Sequence, residues 1–220
     1  MKQGLLLLFF FVVTTAFAQT KKFSVGVSGA PLWARCLRTN TSIIRDKLQG
    51  GFGFQPGLFS EYAFSSRLSL RVGVGYLEVP YDNPKRALVF GQPEPNQPEF
   101  GAIEIDDQFL SIPMLLKFYL GETQKWYSIV GTGIWIPVGI KQKVTLWYSD
   151  GSVTTNSARS NPIGVPTLLN SSVGFGYEFH LTPKIHFFLE PTATLTLGSF
   201  SGWNVGLRPY TAGLNTGVRF

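Results

Sequence analysis

Cysteine is all but missing. Cys36 is the one example in 220 residues, so no disulfide can form within the chain, whatever the redox state around it. It lies too far from the N-terminus to be the lipidated first residue of a lipoprotein, and reads as a lone loop thiol. Charge is scarce as well. Charged residues make up 15% of the chain, against roughly 25% in ordinary soluble domains, too few to cover a water-facing surface. Yet no apolar run of about 18 residues occurs after the N-terminus, so a membrane-spanning helix is excluded by length. The apolar content must be spread over strands.

What is present begins with a targeting pattern. Lys2 supplies a positive end, Leu5 to Val13 an apolar core, and Ala16-Phe17-Ala18 a small-x-small cleavage site. The apolar run is too short to span about 30 Å of hydrocarbon as a permanent anchor. Residues 1–18 are therefore expected to be a signal peptide, and 19–220 the mature domain. The formal charge of +6 drops by one, to +5, with the loss of Lys2. A basic balance invites nucleic acid or a membrane surface, but an exported chain seldom meets nucleic acid, so anionic headgroups or plain solvation are the better counterparts.

Beyond the signal, apolar residues recur with period two, the mark of strands with one wet and one dry face. Ile185, Phe187, Leu189, Ala193, Leu195 and Leu197 alternate with Lys184, His186, Glu190, Thr192, Thr194 and Thr196, and only Phe188 breaks the polar set. Leu68, Leu70, Val72, Val74 and Tyr76 alternate with Ser69, Arg71, Gly73 and Gly75 in the same way. Such runs predict eight strands, at 22–33, 51–64, 67–79, 103–120, 126–140, 166–181, 184–198 and 209–220. The connections alternate in length. Ser65-Ser66, Gly121 to Lys125 and Thr182-Pro183 are tight, whereas 34–50, 80–102, 141–165 and 199–208 are long. This is the pattern of an all-β, eight-stranded antiparallel up-and-down transmembrane barrel, whose even strand number leaves no edge. In outer-membrane barrels the short turns and both termini lie in the periplasm. The loop at 80–102 carries Pro80, Pro84, Pro93, Pro95 and Pro98, which favour extended backbone over regular pairing; it is expected to have no fixed fold alone.

With the apolar set outward, Glu61, Arg71, Lys117, Glu178, Glu190 and Arg219 fall in the lumen, three of each sign and all nearer the short-turn end. An eight-stranded barrel has room inside only for side chains, so these charges are expected to pair as a structural plug. Inward glycines, among them Gly73, Gly75, Gly131, Gly133, Gly174, Gly176 and Gly217, would leave space beside them. Gly73-Val-Gly75 and Gly131-Thr-Gly133 sit within apolar strands and lack the third glycine and helix of a dinucleotide site. His180 and His186 flank the turn Thr182-Pro183 and could face inward near Glu178, but no cysteine or third histidine completes a zinc set. No metal, no cofactor and no catalytic residue is expected.

Aromatics gather near strand ends: Trp33, Tyr62, Phe64, Tyr76, Phe118, Tyr119, Trp126, Tyr127, Tyr177, Phe179, Tyr210 and Phe220. β-propensity alone enriches aromatics in strands, but beside the alternation and the loop asymmetry these read as two interfacial girdles. Pro56, Pro113, Pro137 and Pro191 count against the scheme, since a closed barrel offers no free edge to excuse a missing donor. Either bulges absorb them or some strand boundaries are wrong.

The segment Phe109-Leu-Ser-Ile-Pro-Met-Leu-Leu-Lys-Phe-Tyr119 resembles the IP-x-L-L-K-aromatic strand of the PorT-like outer-membrane β-barrel family. Leu68 to Tyr76, Val173 to Phe179 and Gly213 to Phe220 resemble that family's other strands, so the likeness covers nearly all the mature chain. It implies an eight-stranded barrel in the bacterial outer membrane, links of some members to protein secretion and gliding, tolerance of prolines such as Pro113 and Pro191, and no shared active site. It also implies that Phe220, a terminal aromatic on an amphipathic last strand, is the signal read by the barrel-assembly machinery. The leading expectation is a non-enzymatic scaffold or binding element. Its contacts would be outer-membrane lipids and lipopolysaccharide, the assembly machinery and an envelope or secretion protein, with no nucleic acid. The alternatives are a narrow small-solute pore and a lipid-modifying barrel enzyme. A soluble lipocalin-like barrel would instead turn the apolar face inward.

Overall fold

A computed structural model describes residues 22–38, 49–88, 97–121, 125–162, 166–198, 200–202 and 205–220. The signal peptide and its cleavage site lie outside these residues, as do Pro93 and Pro95. Among the described residues there are ten strands: β1 (Phe23–Arg38), β2 (Gln49–Ala63), β3 (Leu68–Ala87), β4 (Pro98–Leu120), β5 (Trp126–Tyr148), β6 (Val153–Ser160), β7 (Leu168–His180), β8 (His186–Thr196), β9 (Phe200–Gly202) and β10 (Val205–Arg219). Eight of them close a ring in the order β1-β2-β3-β4-β5-β7-β8-β10, with β10 pairing back to β1, every pairing antiparallel. The ends of the described chain meet, Phe220 N–H donating to Val25 O at 2.8 Å.

Two of the short turns are held by their own hydroxyls. Ser65 Oγ accepts from the N–H groups of Arg67 and Leu68, and Thr182 Oγ1 from those of Lys184 and Ile185. The opposite mouth corrects the sequence reading, because the expected long loops contain strand. Pro80 and Pro84 lie within β3 and Pro98 opens β4, so much of 80–102 is paired rather than without fixed fold. The span 141–165 holds the end of β5 and all of β6, and 199–208 holds β9 and the start of β10. β5 pairs with β7 as far as Trp135 and with β6 from Ile140 onward. There the ring ends and a four-stranded blade of β3, β4, β5 and β6 begins. Ion pairs lace its outer face, Lys141 to Glu78 at 2.8 Å and Lys143 to Glu104 at 3.0 Å. Alternation of apolar and polar residues fades in the blade because both of its faces leave the barrel wall. The signal for β6 was the Asp150-Gly151 pair: Gly151 has φ +81° and Asp150 Oδ1 accepts the Ser152 N–H at 2.8 Å.

Pro56, Pro113, Pro137 and Pro191, the four that counted against the barrel scheme, lie where one ladder is open. β2 shifts register against β3 between Gly50 and Gly57, beside Pro56. The β3–β4 ladder skips from Met114 to Ser111 across Pro113, and the β7–β8 ladder from Thr192 to Leu189 across Pro191. Pro137 falls in the gap where β5 passes from β7 to β6. No hydrogen bond is asked of a nitrogen that lacks a proton.

Side-chain alternation turns the ring inside out relative to a soluble barrel. Val72, Val74, Phe54, Leu58, Met114, Val130, Val173, Phe175, Leu195 and Leu214 are exposed on the outer wall, while Glu61, Arg71, Lys117, Glu178 and Glu190 are buried inside.

Candidate functional site

The lumen has three layers. At the short-turn end the six charged residues read from the sequence converge. Arg71 on β3 bridges Glu190 on β8, with Nη1 2.9 Å from Oε2, and Glu61 on β2, with Nη2 3.1 Å from Oε2. Lys117 on β4 donates to Glu178 Oε2 on β7 at 2.7 Å and lies 3.6 Å from Glu61. Arg219 on β10 donates to Glu61 Oε1 at 2.9 Å and also pairs with Glu178. Three cations thus face three carboxylates. The remaining lone pairs are met by Ser69 on Glu61, Tyr127 and Asn215 on Glu190, and Tyr119 on Glu178. Pairing of this kind is what keeps buried charge tolerable.

Aromatic rings complete the layer. Phe188, the residue that spoiled the polar pattern of its strand, lies with its ring 4.8 Å from the Arg71 guanidinium, and Phe59 approaches it at 4.6 Å. Lys117 Nζ sits 3.9 Å from the Tyr127 ring centre and 4.6 Å from that of Tyr119. Tyr119 and Tyr127 are therefore plug residues and not girdle residues, which corrects their sequence assignment. Glycine makes the room. A Cβ at Gly176 would stand 2.3 Å from the Tyr127 ring, and one at Gly217 2.5 Å from the Phe188 ring. The space the inward glycines leave is taken by the rings, and the rings in turn flank the cations.

Above this plug lies a cavity of about 90 Å³ whose wall mixes polar groups, among them Ser28, Gln55, Thr192 and Asn215, with apolar ones such as Leu115 and Ile129, enough for a few waters. Above it again, toward the long-loop mouth, an apolar stopper fills the bore: Leu32, Ala34, Cys36, Leu77, Val79, Tyr81, Phe109, Trp135 and Leu168. Its one buried carboxylate, Asp107, accepts from Tyr81 Oη at 2.9 Å. Cys36 is only 6% exposed in this layer, within β1, and is not the loop thiol the sequence suggested. The stopper was missed because apolar residues were all assigned to the outer wall. Ile134-Trp-Ile-Pro-Val138 and Leu168-Leu169 were the signal, since apolar runs without alternation mark strands covered on both faces.

On the outer wall at the short-turn end, Trp126, Tyr177 and Phe179 form consecutive ring contacts at 4.5 and 4.6 Å, and Tyr62 meets Phe64 at 5.3 Å. Toward the other mouth Trp33 meets Phe52 at 5.0 Å. Phe220 is exposed at the end of the closing strand. His180 and His186 face each other across the β7–β8 pair, rings 4.5 Å apart, on the same inner side as Glu178.

No protein-family model matches the chain, and a comparison with curated proteins likewise finds no match. Among solved structures it is similar to Neisserial surface protein A at 16% identity, covering 90% of this chain and 95% of that one, with a TM-score of 0.45. Ail, the attachment invasion locus protein of Yersinia pestis, is similar at 16% identity, 90% and 98% coverage and a TM-score of 0.38. The outer membrane protease OmpT from Escherichia coli is similar at 9% identity, 90% and 95% coverage and a TM-score of 0.44. This chain's own strand register defines it as a closed, eight-stranded antiparallel β-barrel with a plugged lumen.

Proposed function

We propose that the protein is a non-enzymatic integral barrel of the bacterial outer membrane, a scaffold that holds the β3–β6 blade and its neighbouring connections at the cell surface. One observation carries this reading: large apolar side chains are exposed around the outer wall while the ionic groups of the ring are inside. An apolar surface of that extent has no place in water and suits hydrocarbon, with the aromatic clusters at headgroup level. Bilayer geometry then puts the short turns in the periplasm and the blade outside. Lipopolysaccharide and an envelope or secretion protein are the contacts we assign to the blade, in keeping with the PorT-like strand motifs, and Phe220 the role of assembly signal.

The plug favours a scaffold over a pore. Lys117 and Glu190 in the lower layer and Leu77 and Val79 in the upper have no exposure at all, which a water-wide passage beside them would give. It also favours a scaffold over a lipid-modifying enzyme, because Glu61, Glu178 and Glu190 are committed to cations at the mouth away from the outer leaflet, and Asp107 is closed in by the apolar stopper and held by Tyr81. The test is the inside-out wall. In a Cys36→Ser background, a probe on Leu195→Cys should be quenched by lipid-soluble quencher in vesicles and one on Thr194→Cys should not. The reverse result would make the barrel a soluble one with a greasy interior and end the membrane reading.

A further inference from the structure

We propose that His180, His186 and Glu178 form a divalent transition-metal site at the short-turn mouth, of the kind that takes zinc, copper(II) or nickel. The two imidazoles occupy directly opposed positions on β7 and β8. Glu178 stands two residues before His180 on the same face, opposite Phe188, so strand periodicity aims all three groups inward, the carboxylate two residues deeper than the imidazoles. One ligand atom from each lies within 4.8 Å of the others. Nitrogens bound tetrahedrally at zinc are about 3.3 Å apart, so a rotation that closes about 1.5 Å assembles the set, and exposed His180 is free to make it.

The His186 ring supplies an independent observation. Its Nδ1 is shielded from water and lies 2.9 Å from Glu178 Oε1, off the line of a hydrogen bond. At that separation the nitrogen and the carboxylate oxygen stand side by side as two ligands of one ion would, at the edge of the open mouth. Two imidazoles and a carboxylate are a donor set for borderline metals, and the open mouth supplies water for a fourth position. Opposing charge sets the limit. Arg219 shares Glu178 and Lys117 holds its other oxygen, so the bound cation must divide Oε1 with the guanidinium and affinity rests chiefly on the imidazoles. Bound, the metal would clamp β7 to β8 beside the Thr182-Pro183 turn.

The experiment is calorimetric titration of zinc chloride into the folded mature protein, prepared without a polyhistidine tag in detergent micelles, with cobalt(II) absorption as a second readout. Saturable binding of one ion per chain is expected, with cobalt bands typical of four-coordinate nitrogen and oxygen ligation. His180→Ala and His186→Ala should each weaken binding by more than about tenfold, and Lys184→Ala on the neighbouring turn should not weaken it. His180 is exposed, so its variant should fold, and unchanged heat-dependent gel mobility checks this. Absence of saturable binding, or binding that survives the double histidine variant, overturns the proposal.

Discussion

Replacing Arg71 by methionine tests the logic of the plug most directly. Arg71 is 4% exposed, and its guanidinium bridges two carboxylates, Glu61 on the neighbouring β2 and Glu190 across the bore on β8. Its loss is not shared evenly. Glu61 keeps Lys117, Arg219 and Ser69. Glu190, with no exposure, keeps only two neutral donors, Tyr127 and Asn215. Removing one partner of a buried pair typically costs about 3–5 kcal/mol, because the other charge is left uncompensated. Methionine fills part of the stack between Phe59 and Phe188, so the lower half of that range is expected. If the cost lies in the orphaned Glu190, then Glu190→Gln placed on top of Arg71→Met should recover a large part of the loss, a coupling of about 1–3 kcal/mol. Urea unfolding from lipid vesicles, followed by tryptophan fluorescence and gel mobility, measures all four forms. A loss below about 1 kcal/mol for Arg71→Met, the range of an exposed ion pair, would refute the reasoning. So would a double variant that loses the sum of the singles.

Other outcomes follow from the same structure. On export, cleavage after Ala18 should give an intact mass that begins at Gln19; a product that retains Met1 would sink the export assignment. Planar-bilayer recordings of purified protein should show no large, stable single-channel steps, and their appearance would contradict a bore closed by two layers. Leu189→Arg, on the outer wall, should cost about 2–4 kcal/mol if it lies near the bilayer midplane, and Thr192→Arg, beside the lumenal cavity, less. Equal assembly yields in vesicles would argue against that orientation. Cys36 should resist a water-soluble maleimide in the folded barrel and react once urea unfolds it; rapid labelling of folded protein would show that the apolar stopper opens.

Period-two alternation determined most of the ring by itself. In Leu68 to Tyr76 and Ile185 to Leu197 every second side chain had to share a face, so the eight strands of the ring and the inward set of Glu61, Arg71, Lys117, Glu178, Glu190 and Arg219 could be read residue by residue. Alternation carries no information about depth or about which strand lies opposite. Only the closed register decided that Arg71 bridges Glu61 and Glu190, that Phe188 serves the same guanidinium, and that Tyr119 and Tyr127 turn inward. The same limit hid the apolar stopper. A residue such as Leu77 or Trp135 is apolar whether it meets lipid or fills the bore, and the distinction exists only once the ring has closed around it. The blade was missed for a related reason: where β5 exchanges β7 for β6, neither face follows the barrel wall, and the local pattern no longer reports the environment that the fold creates.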